Sequence, residues 1–148
     1  MSLKIFKSYT KSMRGTVLVS KKNIWKGKSL KSLTIGKNST GGRNNLGRIT
    51  SRSRGAGHKK KYREIDFYRN KDDLKAKIER IEYDPNRSAY VALIKYENGL
   101  MNYIIAPNKI EIGEQIVSGR NKEIKIGNCM PLSDIPAGTD IHNIELSP

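Results

Sequence analysis

The first carboxylate in this 148-residue chain is Glu64, and 18 Lys or Arg residues precede it. Through Lys71 the count is 20 basic against 2 acidic side chains, whereas residues 72–148 carry 9 basic and 12 acidic ones. A segment with one sign of charge repels itself and becomes compact only beside a dense anion. Charges of both signs, interspersed, would serve solubility, so the segregation points to a specific polyanion. The repeating phosphates of a nucleic-acid backbone fit that requirement.

Only 36% of the residues are apolar and 7% aromatic, and most of the apolar ones follow Tyr62. A core of roughly 70–90 residues is expected there, on the scale of a small domain. The preceding third has too few large apolar side chains to bury and is expected to be irregular, or draped over a partner. The single cysteine, Cys129, excludes internal disulfides and cysteine-rich zinc sites, and it reads as a small buried hydrophobe in a reducing compartment. No metal site and no cofactor is expected. No apolar run approaches a membrane span. The opening is acid-free and rich in Lys and Ser, as transit peptides are. It holds one Arg, however, and its basic character runs on far past any cleavage point, so it reads as part of the mature arm. Ile, Lys and Asn supply 18, 19 and 12 residues. Their codons are A/T-rich, which points to an A/T-rich genome such as that of an organelle or a reduced bacterium.

Residues 1–35 show poor periodicity, one aromatic anchor at Trp25 and one short strand at 16–20. Residues 36–61 read as a loop broken by Gly36, Gly41, Gly42, Gly47, Gly55 and Gly57. From Tyr62 the pattern turns to short strands. Alternation over 62–69 puts Ile65 and Phe67 on one face and Tyr62, Glu64, Asp66 and Tyr68 on the other. Ile78 and Ile81 lie three apart, which suits a strand with a bulge over 76–83, and Asp84-Pro85-Asn86 then turns into a strand over 90–96. Asn98-Gly99 predicts a type I′ hairpin leading to a strand at 101–106. Weaker strands are expected at 115–117, 124–126, 129–132 and 141–146. The fold class is therefore all-β: a small antiparallel barrel of the OB type behind a long basic extension.

The densest stretch of chemistry runs from Gly41 to Arg63. Glycines let the backbone approach a phosphate and present its amides, and Arg forks grip phosphate oxygens in pairs. Asn side chains can address base edges or 2′-hydroxyls. The candidate RNA-binding residues are Lys37, Arg43, Asn44, Asn45, Arg48, Arg52, Arg54, His58, Lys59, Lys60, Lys61, Arg63, Arg69, Lys71 and Arg87. Among glycines and lysines, His58 suits a phosphate or a base, since a metal would need partners that are absent; His142 is expected to pack or hydrogen-bond structurally. Tyr62, Tyr68, Tyr83 and Tyr90 could stack on bases, although packing is the simpler expectation for aromatics at strand ends. The pairs Glu64/Asp66 and Glu79/Glu82 lack an adjacent nucleophile or His, so salt bridging to Lys and Arg explains them better than catalysis. No enzymatic activity is expected.

Five runs, in order, resemble the second large-subunit ribosomal protein of bacteria and their organelles: GGRNNLGRIT, GAGHKKKYREIDFYRNK, ERIEYDPNRSAYVALIKYENG, YIIAP and IKIGNCMPLSDIPAGTDIHNIE. The resemblance covers nearly the whole chain from Trp25. It implies an OB-like barrel followed by an SH3-like one, with basic extensions buried in large-subunit rRNA. By resemblance the contact residues are Arg43, Asn44, Asn45, Arg48, Arg52, His58, Lys59, Arg63, Arg69, Lys71 and Arg87. Arg54-Gly55-Ala56-Gly57 stands where the family has three consecutive glycines. Family members also continue well past the position of Pro148, so the resemblance is to an N-terminal half only. The expected organisation is a basic extension at 1–61, an OB-like barrel at 62–128, and at 129–148 a linker with the first strand of an incomplete SH3-like domain.

The expected role is a structural constituent of the large ribosomal subunit, and a split protein completed by a separate chain is the favoured account of the length. Expected partners are large-subunit rRNA and neighbouring ribosomal proteins, with no membrane and no small-molecule substrate. A mitochondrial ribosome is the expected site, with the bacterial cytoplasm as the alternative. The rival function is a free-standing OB-fold protein that binds single strands.

Overall fold

The structure is a computed structural model that describes residues 3–55 and 57–146. Its elements are all strands and short 3₁₀ turns. The strands are β1 (Leu3–Ile5), β2 (Val17–Val19), β3 (Thr34–Lys37), β4 (Lys60–Arg63), β5 (Ala76–Glu82), β6 (Val91–Tyr96), β7 (Met101–Ile105) and β8 (Gln115–Ile116). The 3₁₀ turns lie at Lys31–Leu33 and Leu132–Asp134. A four-stranded antiparallel sheet in the order β7-β6-β5-β8 forms the body, and β1–β2 and β3–β4 are separate two-stranded ribbons. The sheet curls into a half-barrel of the OB-like type.

β6 explains why the sheet has two buried faces. Its residues read Val91-Ala92-Leu93-Ile94, and all four are buried, as in strands covered on both sides. Ala92 and Ile94 join Ile78, Tyr96, Ile104 and Ile116 in the larger cluster. Val91 and Leu93 join Tyr103 in a second cluster, covered by Leu30, Leu33 and Ile65. The basic extension therefore supplies part of the core. Its chain is stitched to the sheet edge where the Trp25 amide donates to the Ile81 carbonyl at 2.8 Å. The Tyr103 hydroxyl accepts from the Leu30 amide at 3.0 Å. On the opposite edge the Asp66 amide donates to the Tyr103 carbonyl at 2.8 Å.

Several expectations from sequence are met. The β5–β6 register shifts between Ile78 and Arg80, where the three-residue spacing of isoleucines placed a bulge. Others need correction. The Asn98-Gly99 hairpin forms, but only Gly99 takes a positive φ, of 83°. The Gly99 amide donates to the Tyr96 carbonyl, and the Tyr96 amide to the Leu100 carbonyl, both at 2.9 Å. That is a type I turn followed by a left-handed glycine, which needs one positive φ where a type I′ turn needs two.

The strand expected at 62–69 is displaced to Lys60–Arg63, because its partner is β3, pairing Thr34 with Arg63 and Lys37 with Lys60. Beyond it the chain bends at 67–68, so Ile65 reaches the core while Phe67 stays 43% exposed. The strand at 16–20 is Val17–Val19, and its partner Leu3–Ile5 was not foreseen. Residues 124–126 and 141–146 form no strand, and Ile124, Ile126, Ile141 and Ile144 are exposed. Strand-prone sequence without a neighbour's amides and carbonyls stays irregular. The 129–132 segment contributes one bridge, between Ser118 and Cys129. His142 is exposed, not packed. Ala56 and Pro148 lie outside the described residues.

Candidate nucleic-acid interface

The β3–β4 ribbon presents the Gly/Arg-rich loop, residues 38–59, as an insertion whose two ends are paired to each other. Within the loop, residues 42–51 fold into a small hairpin. The amides of Thr50 and Ser51 both donate to the Gly42 carbonyl, at 2.8 and 3.1 Å, and Arg43 bridges Ile49. Gly42 is fixed by this crossing: its φ is 73°, and a Cβ there would lie 2.3 Å from the Ser51 carbonyl oxygen. Asn44 closes the tip. Its Oδ1 accepts from the amides of Leu46 at 3.1 Å and Arg48 at 2.9 Å, an arrangement typical of Asx turns. Asn44, one of the candidate RNA contacts, thus also shapes the loop through its oxygen.

The charged residues of the loop stay in solvent, as do the two lysines that open β4. Arg43, Asn45, Arg48, Arg52, Arg54, His58, Lys59, Lys60 and Lys61 are all exposed. Two open concavities gather five of them, while Asn45, Arg48, Lys59 and Lys61 line neither. One, of about 390 Å³, is lined by Lys37, Lys60 and His58 together with Asn38, Thr40 and Asn86. The other, of about 710 Å³, is lined by Arg43, Arg52 and Arg54 with Ser51 and Ser53. Neither has a carboxylate in its wall. Concave, donor-rich surfaces of this kind accept phosphate oxygens without competition from the protein's own anions.

Behind the ribbon lies the counter-charge. Glu82 and Asp84 are 2% and 0% exposed. Glu82 takes Arg63 at 3.4 Å and Arg80 at 2.8 Å, and accepts from the Tyr103 hydroxyl at 2.9 Å. Asp84 takes Arg87 at 2.7 Å and lies 3.8 Å from Arg63. Burial alone would push the Asp84 carboxyl up. The Asn86 amide and the Arg87 guanidinium overcome it and hold that carboxyl below the usual range. Burial pushes the Tyr103 hydroxyl up, reinforced by its bond to Glu82. The Arg80 guanidinium also lies 4.7 Å from the Trp25 ring, so the extension, the ribbon and the sheet meet at one ionic cluster.

The fifteen candidates therefore fall into different settings. Lys37, His58 and Lys60 share the first concavity, and Arg43, Arg52 and Arg54 the second. Arg63 and Arg87 are held by carboxylates, with side chains 11% and 20% exposed. Arg69 is buried elsewhere in the barrel, where it donates to the Gly127 carbonyl at 2.6 Å. Lys71 lies 4.5 Å from the Tyr96 ring. Of the four tyrosines weighed for stacking, Tyr68 is 70% exposed, Tyr62 and Tyr90 are half-buried, and Lys21 caps the Tyr83 ring at 3.8 Å. Asn38, Thr40 and Asn86 were not foreseen. Asp84-Pro85-Asn86 signalled a turn, and nothing in sequence placed that turn beside Lys37. Among the described residues no group of three or more His, Cys, Asp or Glu side chains is placed to hold a metal ion.

A small OB-like barrel with a clamped, carboxylate-free loop defines a basic β-domain built to face a polyanion. Residues 30–118 match the family model described as the RNA-binding N-terminal domain of ribosomal proteins L2. The chain belongs to that family. It is 59% identical over 148 residues to the large ribosomal subunit protein uL2 of Granulibacter bethesdensis, covering all of this chain and 54% of that protein. The uL2 of Pelagibacter ubique is 58% identical over 149 residues, and that of Rickettsia canadensis 58% over 146, covering 53% and 54% of those proteins. The chain spans about half the length of the curated relatives it matches, and these three are bacterial.

Proposed function

We propose that the chain is a structural, non-catalytic constituent of the large ribosomal subunit that binds and stabilises large-subunit rRNA. One observation carries this reading: the loop at 38–59 is basic, free of carboxylates and solvent-facing, while both its ends are fixed in a ladder anchored to the barrel. Such a loop has cations that its own chain does not neutralise, on a scaffold that fixes where they point. Arg43, Arg48, Arg52, Arg54, Lys59, Lys60 and Lys61 act as phosphate contacts, and Asn45 and His58 as base or sugar contacts. Arg63 and Arg87 serve two purposes: they brace the barrel through the partners described above, and they turn their remaining N–H groups to RNA with Lys71; Arg69, buried at 8% exposure, acts on the interface by holding the Gly127 carbonyl. A barrel at 62–128, joined to a linker at 129–148 that leads towards an SH3-like unit, is the organisation we favour.

Neighbouring ribosomal proteins complete the environment. The abundance of Ile, Lys and Asn, whose codons are A/T-rich, is compatible with a mitochondrial or a reduced bacterial genome, and the bacterial relatives support a bacterial ribosome. Sedimentation of a native lysate tests the assignment. The chain is expected to co-migrate with the large subunit and to be released by ribonuclease; a free pool at the top of the gradient would refute the reading. Running the same gradient on purified mitochondria separates the two compartments. Mass spectrometry of the fraction shows which polypeptides carry the rest of the family's length.

A further inference from the structure

We infer that the concavity between the β3–β4 ribbon and the turn at 84–87 is a ribose-reading seat, in which Asn86 Oδ1 accepts a hydrogen bond from the 2′-hydroxyl of one nucleotide whose phosphate is held by Lys37 and Lys60. This deepens the RNA-binding reading and rests on it.

The argument starts from the orientation of the Asn86 amide. Its Nδ2 donates to the Lys61 carbonyl at 2.8 Å and to Asp84 Oδ1 at 3.2 Å. Both partners are acceptors only, so the nitrogen must face them and the assignment of oxygen and nitrogen is fixed by chemistry. Both amide protons are then committed. Oδ1, on the other side of the amide, is left as an acceptor on a residue that lines the concavity. The Asn86 main-chain amide is bound to Asp84 Oδ1 at 2.9 Å, and Asp84 is itself buried and paired with Arg87. The acceptor therefore needs no ordering when a ligand arrives.

The surroundings decide what it accepts. Lys37 and Lys60 form the last pair of the β3–β4 ladder, so their side chains share one face of the ribbon; both residues line the concavity with His58 beside them, and the Lys37 ammonium lies 5.4 Å from the Tyr62 ring. Lysines bring a phosphate, but a phosphate diester carries acceptors and no donor. An acceptor set next to it meets repulsion unless the same nucleotide also offers a donor. In RNA the 2′-hydroxyl is that donor, one sugar carbon from the phosphate-bearing 3′ position, and DNA lacks it. A concavity of about 390 Å³ falls in the size range of sites that hold a small organic ligand, which suits one nucleotide. The charges attract any nucleic acid, and the fixed amide selects RNA.

The test uses the full chain and a transcript of the large-subunit rRNA from the same organism, doped with 2′-deoxynucleotides and partitioned by filter binding. The wild-type protein is expected to show one or two positions at which a single deoxy substitution weakens binding about 5–10-fold, the loss of one hydrogen bond. Asn86→Ala should bind the all-ribose transcript about 5–10-fold more weakly and lose sensitivity at that position while keeping it elsewhere. Should Asn86→Ala fail to fold, Lys37→Met, which lies outside the turn, must weaken binding and abolish the wild-type footprint at the same nucleotide. An identical interference pattern in wild type and variant, with binding intact, overturns the seat and leaves RNA binding standing. Interference from inosine in place of guanosine, without any from deoxyribose, assigns the acceptor to a base amine and also overturns it. Absence of any binding to the transcript would refute the underlying reading as well.

Discussion

Removal of the Asp84 carboxylate is the sharpest probe of how the barrel holds its basic surface. The residue is fully buried, accepts from the Asn86 main-chain amide at 2.9 Å and pairs with Arg87 at 2.7 Å. Asp84→Ala strands the Arg87 guanidinium, whose side chain is 20% exposed, and frees the Asn86 amide. Arg63 keeps its second carboxylate, Glu82 at 3.4 Å. A hydrogen bond to a charged group contributes about 1.5–3 kcal/mol and a neutral one about 1 kcal/mol. Because Arg87 regains some water, a net loss of about 3 kcal/mol is expected, at the lower edge of the range for breaking a buried pair. With a urea m-value of about 2 kcal/mol/M, the unfolding midpoint falls by about 1.5 M at constant m.

The pH dependence has a definite sign. The folded-state carboxyl is depressed below 3.8, so its contribution is present above that value and is lost as pH falls through the folded one. Wild type and variant should therefore converge in strongly acidic buffer. A loss below about 1 kcal/mol at neutral pH, or a gap that persists undiminished into acid, would show that Asp84 is not the anchor described.

Three further outcomes follow from the same geometry. Binding to large-subunit rRNA should weaken with added salt, with a log–log slope of magnitude about 5–10, measured by filter binding; a flat response contradicts phosphate contact. Arg43→Ala or Arg48→Ala, both exposed on the loop, should each reduce RNA affinity by about 1–2 kcal/mol with an unchanged melting temperature, and unaltered affinity would remove the loop from the interface. Gly127 has a φ of 90°, and a Cβ there would lie 2.7 Å from Ile116 and 2.8 Å from Ile110. Gly127→Ala should therefore cost about 2–4 kcal/mol in denaturant unfolding, and a near-neutral result would show that this loop yields.

The parts legible in the sequence were those governed by neighbours along the chain. The bulge in β5 and the Asp84-Pro85-Asn86 and Asn98-Gly99 turns are local, and the residues that need them say so. Pairing between Thr34 and Arg63 is not local. Nothing in Thr34-Ile35-Gly36-Lys37 distinguishes a strand from a glycine-broken loop until its partner arrives. The same holds for Leu30 and Leu33, which look too sparse to bury until the second face of the sheet is there to receive them. Of the candidate contacts, the Arg and Lys residues of the loop were visible as uncompensated charge. Charge alone could not tell Arg54, which is exposed, from Arg69, which is 8% exposed and bound to a carbonyl. Asn86 was invisible because its importance comes from which acceptors hold its nitrogen.

The ladder between Lys37 and Lys60 brackets 22 residues, numbers 38 to 59. Bringing the ends of a flexible segment that long together costs about 2.7 kcal/mol of chain entropy on the logarithmic scaling of loop closure. Barrel formation settles that cost before any ligand arrives. A protease nick among the exposed arginines would leave the ribbon and sheet bonded, yet would set the two halves of the tip free to wander. Their regrouping would then fall to the polyanion, at an affinity deficit of up to about a hundredfold, with every contacting side chain still in place.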